Sequence, residues 1–460
     1  MTKPLIQKLK EYSQTHIPMH MPGHKRNSTF LSADLPYDID ITEIDGFDNL
    51  HDMQGVLKET ASLAAQLYGT KCCYPLINGS TCGILSAMHA LCPYGGHVLL
   101  QRDCHKSVYN GVGLLGLTPH YLVPEQDEHG ISQKMQPEQV EKMLQAHSDI
   151  SLVVLTSPTY EGTVQSIKEI AEICHNHGAY LLVDSAHGAH FGFSKEFPQS
   201  AVTSGADIVV MSLHKTMPCL TQTALLHICT EPIDASRVAE SLSIFETSSP
   251  SYVLLASIDE CLRLIAEKKD ALFSTYNEHL SAFYKNTQSL KHLSVFHTDD
   301  PGKIIISTRN TNLSGADLAK ILRKTYAIET EMSAKYYVLA MTSVCDDGFA
   351  FQALSNALSN IDADCADASS KKEICTFSLP KQIMTPSEAR NRTGTFFGLS
   401  DAVGKVALES VWAYPPGIPY IVPGEEIPKE FPKMIQTLKE AGVELKSTKG
   451  KIKENAIYVI

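Results

Sequence analysis

The sequence lacks most of what would tie a chain to a membrane, a nucleic acid or a metal. No uninterrupted apolar run approaches the ~18 residues of a membrane span. The opening stretch, MTKPLIQKLKEYSQTHIPMHMPGHKR, has no continuous apolar segment of the secretory kind. Basic residues are in the minority, 39 Lys and Arg against 51 Asp and Glu, for a formal net charge of −12. Phosphate-rich surfaces would repel such a chain, so neither nucleic acid nor membrane is an expected partner. The 12 cysteines include no CxxC, which excludes a zinc knuckle and a thioredoxin-type motif. A cytoplasmic protein with small buried thiols is expected. Among the 19 histidines, His187 and His190 stand three apart, but no HExxH or carboxylate–histidine cluster accompanies them. No metal is expected. Tryptophan occurs once, at Trp412, and there is no internal repeat or long low-complexity tract.

What is present is ordinary globular material: 460 residues, 43% hydrophobic and 20% charged, enough for two or three domains. Residues 1–55 are rich in His, Pro, Gly and Asp and read as an N-terminal arm with a short opening helix. From 56 to 285, short apolar runs (CCYPLI, HVLLQ, PHYLV, LVVLTS, AYLLVD, DIVVMS) alternate with helical stretches. That alternation predicts an α/β domain built on a mostly parallel sheet. Residues 251–285 read as one long helix. A smaller α/β domain is expected over 286–362, a linker around 363–373, and a C-terminal domain over 374–460.

Several positions carry chemistry. Lys215, in MSLHKTMPCLTQTALLH, follows an apolar strand, and a lysine there could form an imine with an aldehyde cofactor. Asp184 ends the strand in LLVDSAHGAH, where it could pair with a protonated pyridine nitrogen. Ser80 and Thr81 follow a glycine turn at a helix start, an arrangement that binds anions. His105, in RDCHKS, could stack on a planar ring. Each has a plainer reading: a solvated lysine, a strand-end cap, a helix N-cap and a satisfied core histidine. Their order carries more weight than any one of them, because all four fall at the carboxyl ends of strands, where α/β sheets place ligands.

These segments, taken together, resemble the ornithine/lysine/arginine decarboxylase family of fold-type-I, pyridoxal-phosphate enzymes, in its short bacterial form. The resemblance lies in MPGHKR (21–26), EIDGFDNLHDMQGVLKE (43–59), NGSTCGIL (78–85), CHKSVYNG (104–111), LTSPTYEG (155–162), VDSAHGAHFGF (183–193), SLHKTMPCLTQTA (212–224), TSSPSY (247–252) and AYPPGIPYIVPGE (413–425). It implies an aspartate-aminotransferase-like large domain and pyridoxal 5'-phosphate as cofactor. Lys215 matches the lysine that joins the cofactor's aldehyde, Asp184 the pyridine-nitrogen partner, and His105 the ring-stacking histidine. Ser80, Thr81, Ser212 and His214 match phosphate ligands, and Ala186 the small residue on the ring's other face. Ser248 or Ser249 matches a hydroxyl that reaches the neighbouring subunit's phosphate, which implies a homodimer with shared sites. Glu425 matches an acid near the substrate's distal cation, and His187 and His24 are further substrate-site candidates. With only about 20 residues before MPGHKR, no receiver-like N-terminal domain is expected. The chain departs from the pattern at Ser185, where many short relatives carry glutamate, and in GKVALESVW (404–412), read as an altered strand with Leu408 and Trp412 as its odd members.

The expected reaction is decarboxylation of a basic amino acid, with arginine favoured over lysine and ornithine. Asp45 and Asp48 would add negative potential at the site's mouth. The alternatives are an aminotransferase or β-lyase, for which Arg390 and Arg392 would be carboxylate clamps, and a non-catalytic cofactor-binding protein.

Overall fold

The computed structural model describes the chain apart from residues 1–2, 28, 30–32, 232, 369–377, 414–416 and 441. Part of the expected linker (369–373) and the YPP of the C-terminal motif (414–416) therefore lie outside the described residues.

The arm opens with α1 (Leu5–Thr15), whose buried Leu5 and Leu9 seat it on the body. Its first turn is held by Asp259, which accepts a hydrogen bond from the Leu5 amide at 3.0 Å. The next helix, α2 (Val56–Tyr68), ends at Gly69, whose φ of +73° is the left-handed cap that glycine adopts without strain.

The large sheet has seven strands: β1 (Cys72–Leu76), β2 (His97–Gln101), β3 (Thr118–Leu122), β4 (Ile150–Thr156), β5 (Tyr180–Asp184), β6 (Ile208–Met211) and β7 (Ala224–Ile228). Their order is β1-β7-β6-β5-β4-β2-β3. α3 (Gly79–Leu91) leads from β1 into β2, and strands β2 to β6 pair in parallel, with α4 (Lys106–Leu114), α5 (Pro137–Ala146) and α6 (Ile167–Asn176) among their connections. Alternate residues enter two separate cores. Leu99, Val153, Val183 and Val209 pack on one face, and Leu100, Val154, Leu182 and Val210 on the other. Burial on both faces is why these strands read as unbroken apolar runs. Each such side chain contributes about 1.5–3 kcal/mol.

The sequence pattern did not single out β7. ALLHI reads as the tail of the lysine motif, yet it is a fully buried strand antiparallel to both β1 and β6. A single-turn helix, α7 (Leu213–Thr216), and a short loop separate it from β6, too little chain for a parallel crossover. After α8 (Ala235–Phe245), the long helix expected over 251–285 runs from Tyr252 to Thr287 as α9.

An antiparallel four-stranded sheet follows, ordered β10-β11-β9-β8. Its strands are β8 (Ser294–Phe296), β9 (Lys303–Ser307), β10 (Met332–Ser333) and β11 (Tyr337–Met341), flanked by α10 (Gly315–Tyr326) and α11 (Gly348–Asp364). The C-terminal part contains α12 (Pro386–Arg390), the pair β12 (Thr395–Gly398) and β16 (Ala456–Val459), the sheet β14-β13-β15 (Pro419–Ile421, Val411–Ala413, Leu445–Ser447) and α13 (Phe431–Glu440). It has its own core around Ile421, Phe431, Ile435 and Ile457. The strand expected over 404–412 is corrected here: only Val411–Ala413 is strand, and 406–407 make isolated bridges. The cause is Glu409, a fully buried acid whose two oxygens accept from the amides of Lys449 and Tyr458 at 2.8 and 2.7 Å. Those bonds draw the chain out of a ladder.

Candidate active site

The site forms at the carboxyl edge of the seven-stranded sheet. Just beyond β1, Gly79 takes a φ of +74°, which only glycine holds without strain, and turns the chain directly into α3. The first turn of α3 presents Ser80 and Thr81. Ser212, at the end of β6, donates its hydroxyl to Ser80 Oγ at 3.0 Å. Two hydroxyls thus meet at the first turn of a helix, the chemistry of a phosphate cradle. Beneath it, Glu246 accepts from the Ile77 amide at 2.7 Å, and burial pushes its carboxyl up to about 7. His214 Nδ1 donates to the Thr223 carbonyl at 2.8 Å beside the same turn.

Lys215 stands on α7. Its Nζ is 3.0 Å from His187 Nε2, and burial lowers its pKa while Asp184 pulls the other way. Asp184 is 4% exposed and its carboxylate accepts from the Ala186 amide at 3.1 Å. Burial raises its pKa, and Lys215 and that amide work against the rise. A buried carboxylate so poorly compensated suits a cationic partner such as a protonated pyridine nitrogen. His105 caps α4, and its Nδ1 accepts from the Ser107 amide at 3.2 Å. Burial, with the charges of Lys215 and Lys106, lowers it to about 4, so the ring is neutral. Gly417 of the C-terminal part lies against that ring, where a Cβ would come within 3.4 Å of His105 Cδ2. Hydroxyl cradle, buried acid, neutral histidine and lysine together fit pyridoxal phosphate.

Two residues emerge that the sequence reading passed over. Lys303 opens β9 from DDPGK, is 1% exposed, and places Nζ 2.6 Å from His187 Nδ1. Burial lowers it to about 8, with Asp300 opposing. Tyr160 packs edge-on against His187, ring centroids 4.7 Å apart. Gly162 is required beside them: at φ +99°, a Cβ would press to 2.8 Å from Thr298 Oγ1 and 3.0 Å from Lys303 Cγ. A lysine heading an otherwise apolar strand was the available signal. His187 therefore bridges two amines, and burial together with both lysines lowers its pKa well below the usual histidine range.

Other expected residues fall elsewhere. His24 bonds Asp40 Oδ2 at 3.1 Å and the Arg26 amide at 3.0 Å, all within the arm. Ser248 and Ser249 are exposed on the α8–α9 loop, which His51 pins through the Thr247 carbonyl at 2.9 Å. Asp48 accepts the amides of Asn49, Gln54, Gly55 and Leu57 and fastens the arm to the start of α2. Glu425 is fully buried, and its Oε1 has no hydrogen-bond partner among the described residues. Its Oε2 accepts from Arg102 Nη2 at 3.1 Å and from the Val422 amide at 2.8 Å. The clamp candidate Arg390 packs over Gly113 of α4, and Arg392 is exposed.

Comparison with known proteins agrees with this geometry. The family profile for the Orn/Lys/Arg decarboxylase major domain matches residues 3–304, and that for the C-terminal domain of the same family matches 369–447. An arginine decarboxylase of Bacillus subtilis (strain 168) is 31% identical over 453 residues, covering 93% of this chain and 91% of the relative. One from Halalkalibacterium halodurans is 32% identical, covering 94% and 91%. Among solved structures, the constitutive lysine decarboxylase of Escherichia coli superposes with a TM-score of 0.84 at 19% identity, over 100% of this chain and 82% of that one. A pyridoxamine-pyruvate aminotransferase from Mesorhizobium loti shares the large-domain fold, TM-score 0.54 at 18% identity over 68% of this chain and 86% of that one. The chain is a decarboxylase-family α/β protein: it belongs to the Orn/Lys/Arg decarboxylase family.

Proposed function

We propose that this protein is a pyridoxal 5'-phosphate-dependent decarboxylase of a basic amino acid, arginine first, working as a cytoplasmic homodimer with shared sites. The observation that carries the reading is the convergence of Lys215, Asp184 and the Ser80–Ser212 pair at one sheet edge. Arginine is favoured because four relatives that align over more than nine-tenths of both chains are named arginine decarboxylases. When bound, pyridoxal phosphate supplies the electron sink for the bond between Cα and the carboxylate.

The chain's own residues do the rest. Ser80, Thr81, Ser212 and His214 hold the phosphate, Ala186 and His105 flank the ring, and Asp184 keeps a proton on the pyridine nitrogen. Lys215 Nζ returns a proton to the substrate's Cα after carbon dioxide leaves. His187 is neutral at working pH, so one ring nitrogen donates and the other accepts. That lets a proton pass from Lys303 to Nδ1 while Nε2 serves Lys215. Turnover with arginine, lysine and ornithine, compared as kcat/KM on the purified holoenzyme, tests the substrate assignment. Arginine should lead; equal or absent turnover of all three would overturn it.

Lys303 gives the reaction a pH signature. Its pKa is about 8 instead of 10.5, so its ammonium is present below about 8 and lost as pH rises through that value. If it resupplies the proton, kcat should fall on the alkaline side near pH 8. In Lys303→Met that limb should vanish, and kcat should drop on the order of 10²-fold. Superimposable pH profiles would remove Lys303 from the relay.

The shared site is tested by mixing Lys215→Ala with Ser249→Ala subunits. Half of the sites in a mixed dimer would then be intact, so activity should exceed that of either parent. No gain after verified subunit exchange would count against sharing.

A further inference from the structure

The opposite edge of the same sheet holds a second cluster that the sequence could not show, because its members come from three separate segments. His97 is the first residue of β2 and His120 lies in β3, diagonal neighbours across a parallel pair in which His97 faces Thr118 and Leu99 faces His120. Asp149 immediately precedes Ile150, which pairs with His97 on the other side. His97 Nδ1 lies 3.0 Å from His120 Nε2 and 3.0 Å from Asp149 Oδ2. All three donor atoms lie within 4.8 Å of one another.

One ring nitrogen cannot satisfy both contacts. An imidazole nitrogen carries either one hydrogen or one lone pair. If His97 Nδ1 bears the hydrogen, Asp149 and His120 compete for it. If it bears the lone pair, it abuts a carboxylate oxygen at 3.0 Å with no proton between them. Three lone-pair atoms therefore share at most one or two protons, whereas a cation would satisfy all three at once. The ring of His147 packs on His120 at a centroid distance of 4.1 Å and limits how far it can swing.

We propose that His97, His120 and Asp149 form a site for a divalent transition metal of the zinc class, with its remaining positions open to water. Zn²⁺ binds imidazole nitrogen and carboxylate oxygen at about 2.0–2.2 Å, so a tetrahedral site sets its donors about 3.3 Å apart. The observed 3.0 Å spacings need to open by only a few tenths of an ångström. Imidazole with carboxylate favours zinc, nickel or copper over the hard cations, which prefer all-oxygen sites. Asp149 is 55% exposed and His97 31%, which leaves an entry path. The site sits at the amino ends of β2 and β4, whereas His105 and Asp184 follow the carboxyl ends of β2 and β5. The metal would thus join the edge strand β3 to β2 and to the α5–β4 loop, without touching the reaction.

The test uses the untagged, cofactor-loaded full chain, freed of metal by dialysis against a chelator and titrated with ZnCl₂ or NiCl₂ in a calorimeter. One equivalent per chain should bind with a micromolar or tighter Kd, and repeating the titration in buffers of different ionisation heat should show proton release. Binding should weaken at least tenfold in His120→Gln and in Asp149→Asn, since even groups behind the ligands typically matter by about 10–100-fold. Asp149 is largely exposed, so its variant folds irrespective of the outcome at His120. No stoichiometric binding at submillimolar metal, or unchanged affinity in Asp149→Asn, would overturn the site.

Discussion

A Lys215→Ala protein should fold, hold pyridoxal phosphate without a covalent bond, and show no measurable decarboxylation. The loss combines an amine nucleophile with a proton carrier, so it should exceed about 10⁴-fold, the top of the range for acid–base groups alone. Folding should survive because Lys215 is part-buried at the end of a single-turn helix and its contact with His187 at 3.0 Å is between two amine-type groups, not an ion pair. Its removal takes away one of the charges that lower His187, whose pKa should therefore rise. Borohydride reduction of the wild-type protein followed by peptide mapping should tag the segment carrying Lys215. A tag on Lys303, the other buried amine beside His187, would exchange the roles of the two lysines.

The contrast between these two lysines shows what was legible in the sequence. Lys215 sits among short-range neighbours, Ser212, His214 and Thr216, after an apolar strand, so local pattern suffices to find it. Asp184 and the Ser80–Thr81 turn are legible for the same reason: each closes a strand in a parallel sheet, and parallel sheets put such ends on one edge. Lys303 approaches from the four-stranded sheet, 116 residues from its partner His187 in the chain, and no local rule brings them together. Strand β7 was hidden because only a single-turn helix and a short loop separate it from β6, so its apolar run reads as the tail of the lysine motif. The 404–412 segment reads as a strand by composition, but Glu409 needed two distant backbone amides and took the chain with it. Asp48 and Glu425 reveal the same gap in another form. An acid in a loop shows its partners only in the structure: four amides take both oxygens of Asp48, and Arg102 and the Val422 amide take Oε2 of Glu425, whose Oε1 has no partner among the described residues.

Glu425→Ala should therefore cost stability and leave substrate recognition alone. Arg102, at the end of β2, is 8% exposed; it donates to Tyr109 Oη and to the Tyr420 carbonyl, each at 3.2 Å, besides Glu425. Its guanidinium also lies over the rings of Tyr121 and Tyr109, at 5.0 and 5.6 Å from their centroids. Burial lowers its affinity for a proton, but Glu425 and the two tyrosines raise it further, so it stays charged. Glu425 is in turn pushed up by burial and held back by Arg102 and the Val422 amide. Each charge is tolerable only because of the other, and the pair ties the large sheet to the C-terminal segment. Deleting one partner strands the other in a dry site, which typically costs about 3–5 kcal/mol. Denaturant titration should read a loss of that size in Glu425→Ala. The double variant Arg102→Met, Glu425→Leu should recover much of it, since replacing a buried pair by apolar groups of similar volume is often neutral. In Glu425→Gln, KM for arginine should stay near the wild-type value in the folded fraction, because Oε2 is engaged by Arg102 and the Val422 amide. A raised KM for dicationic substrates without a loss of stability would return Glu425 to the binding site and leave Arg102 as its positioning partner.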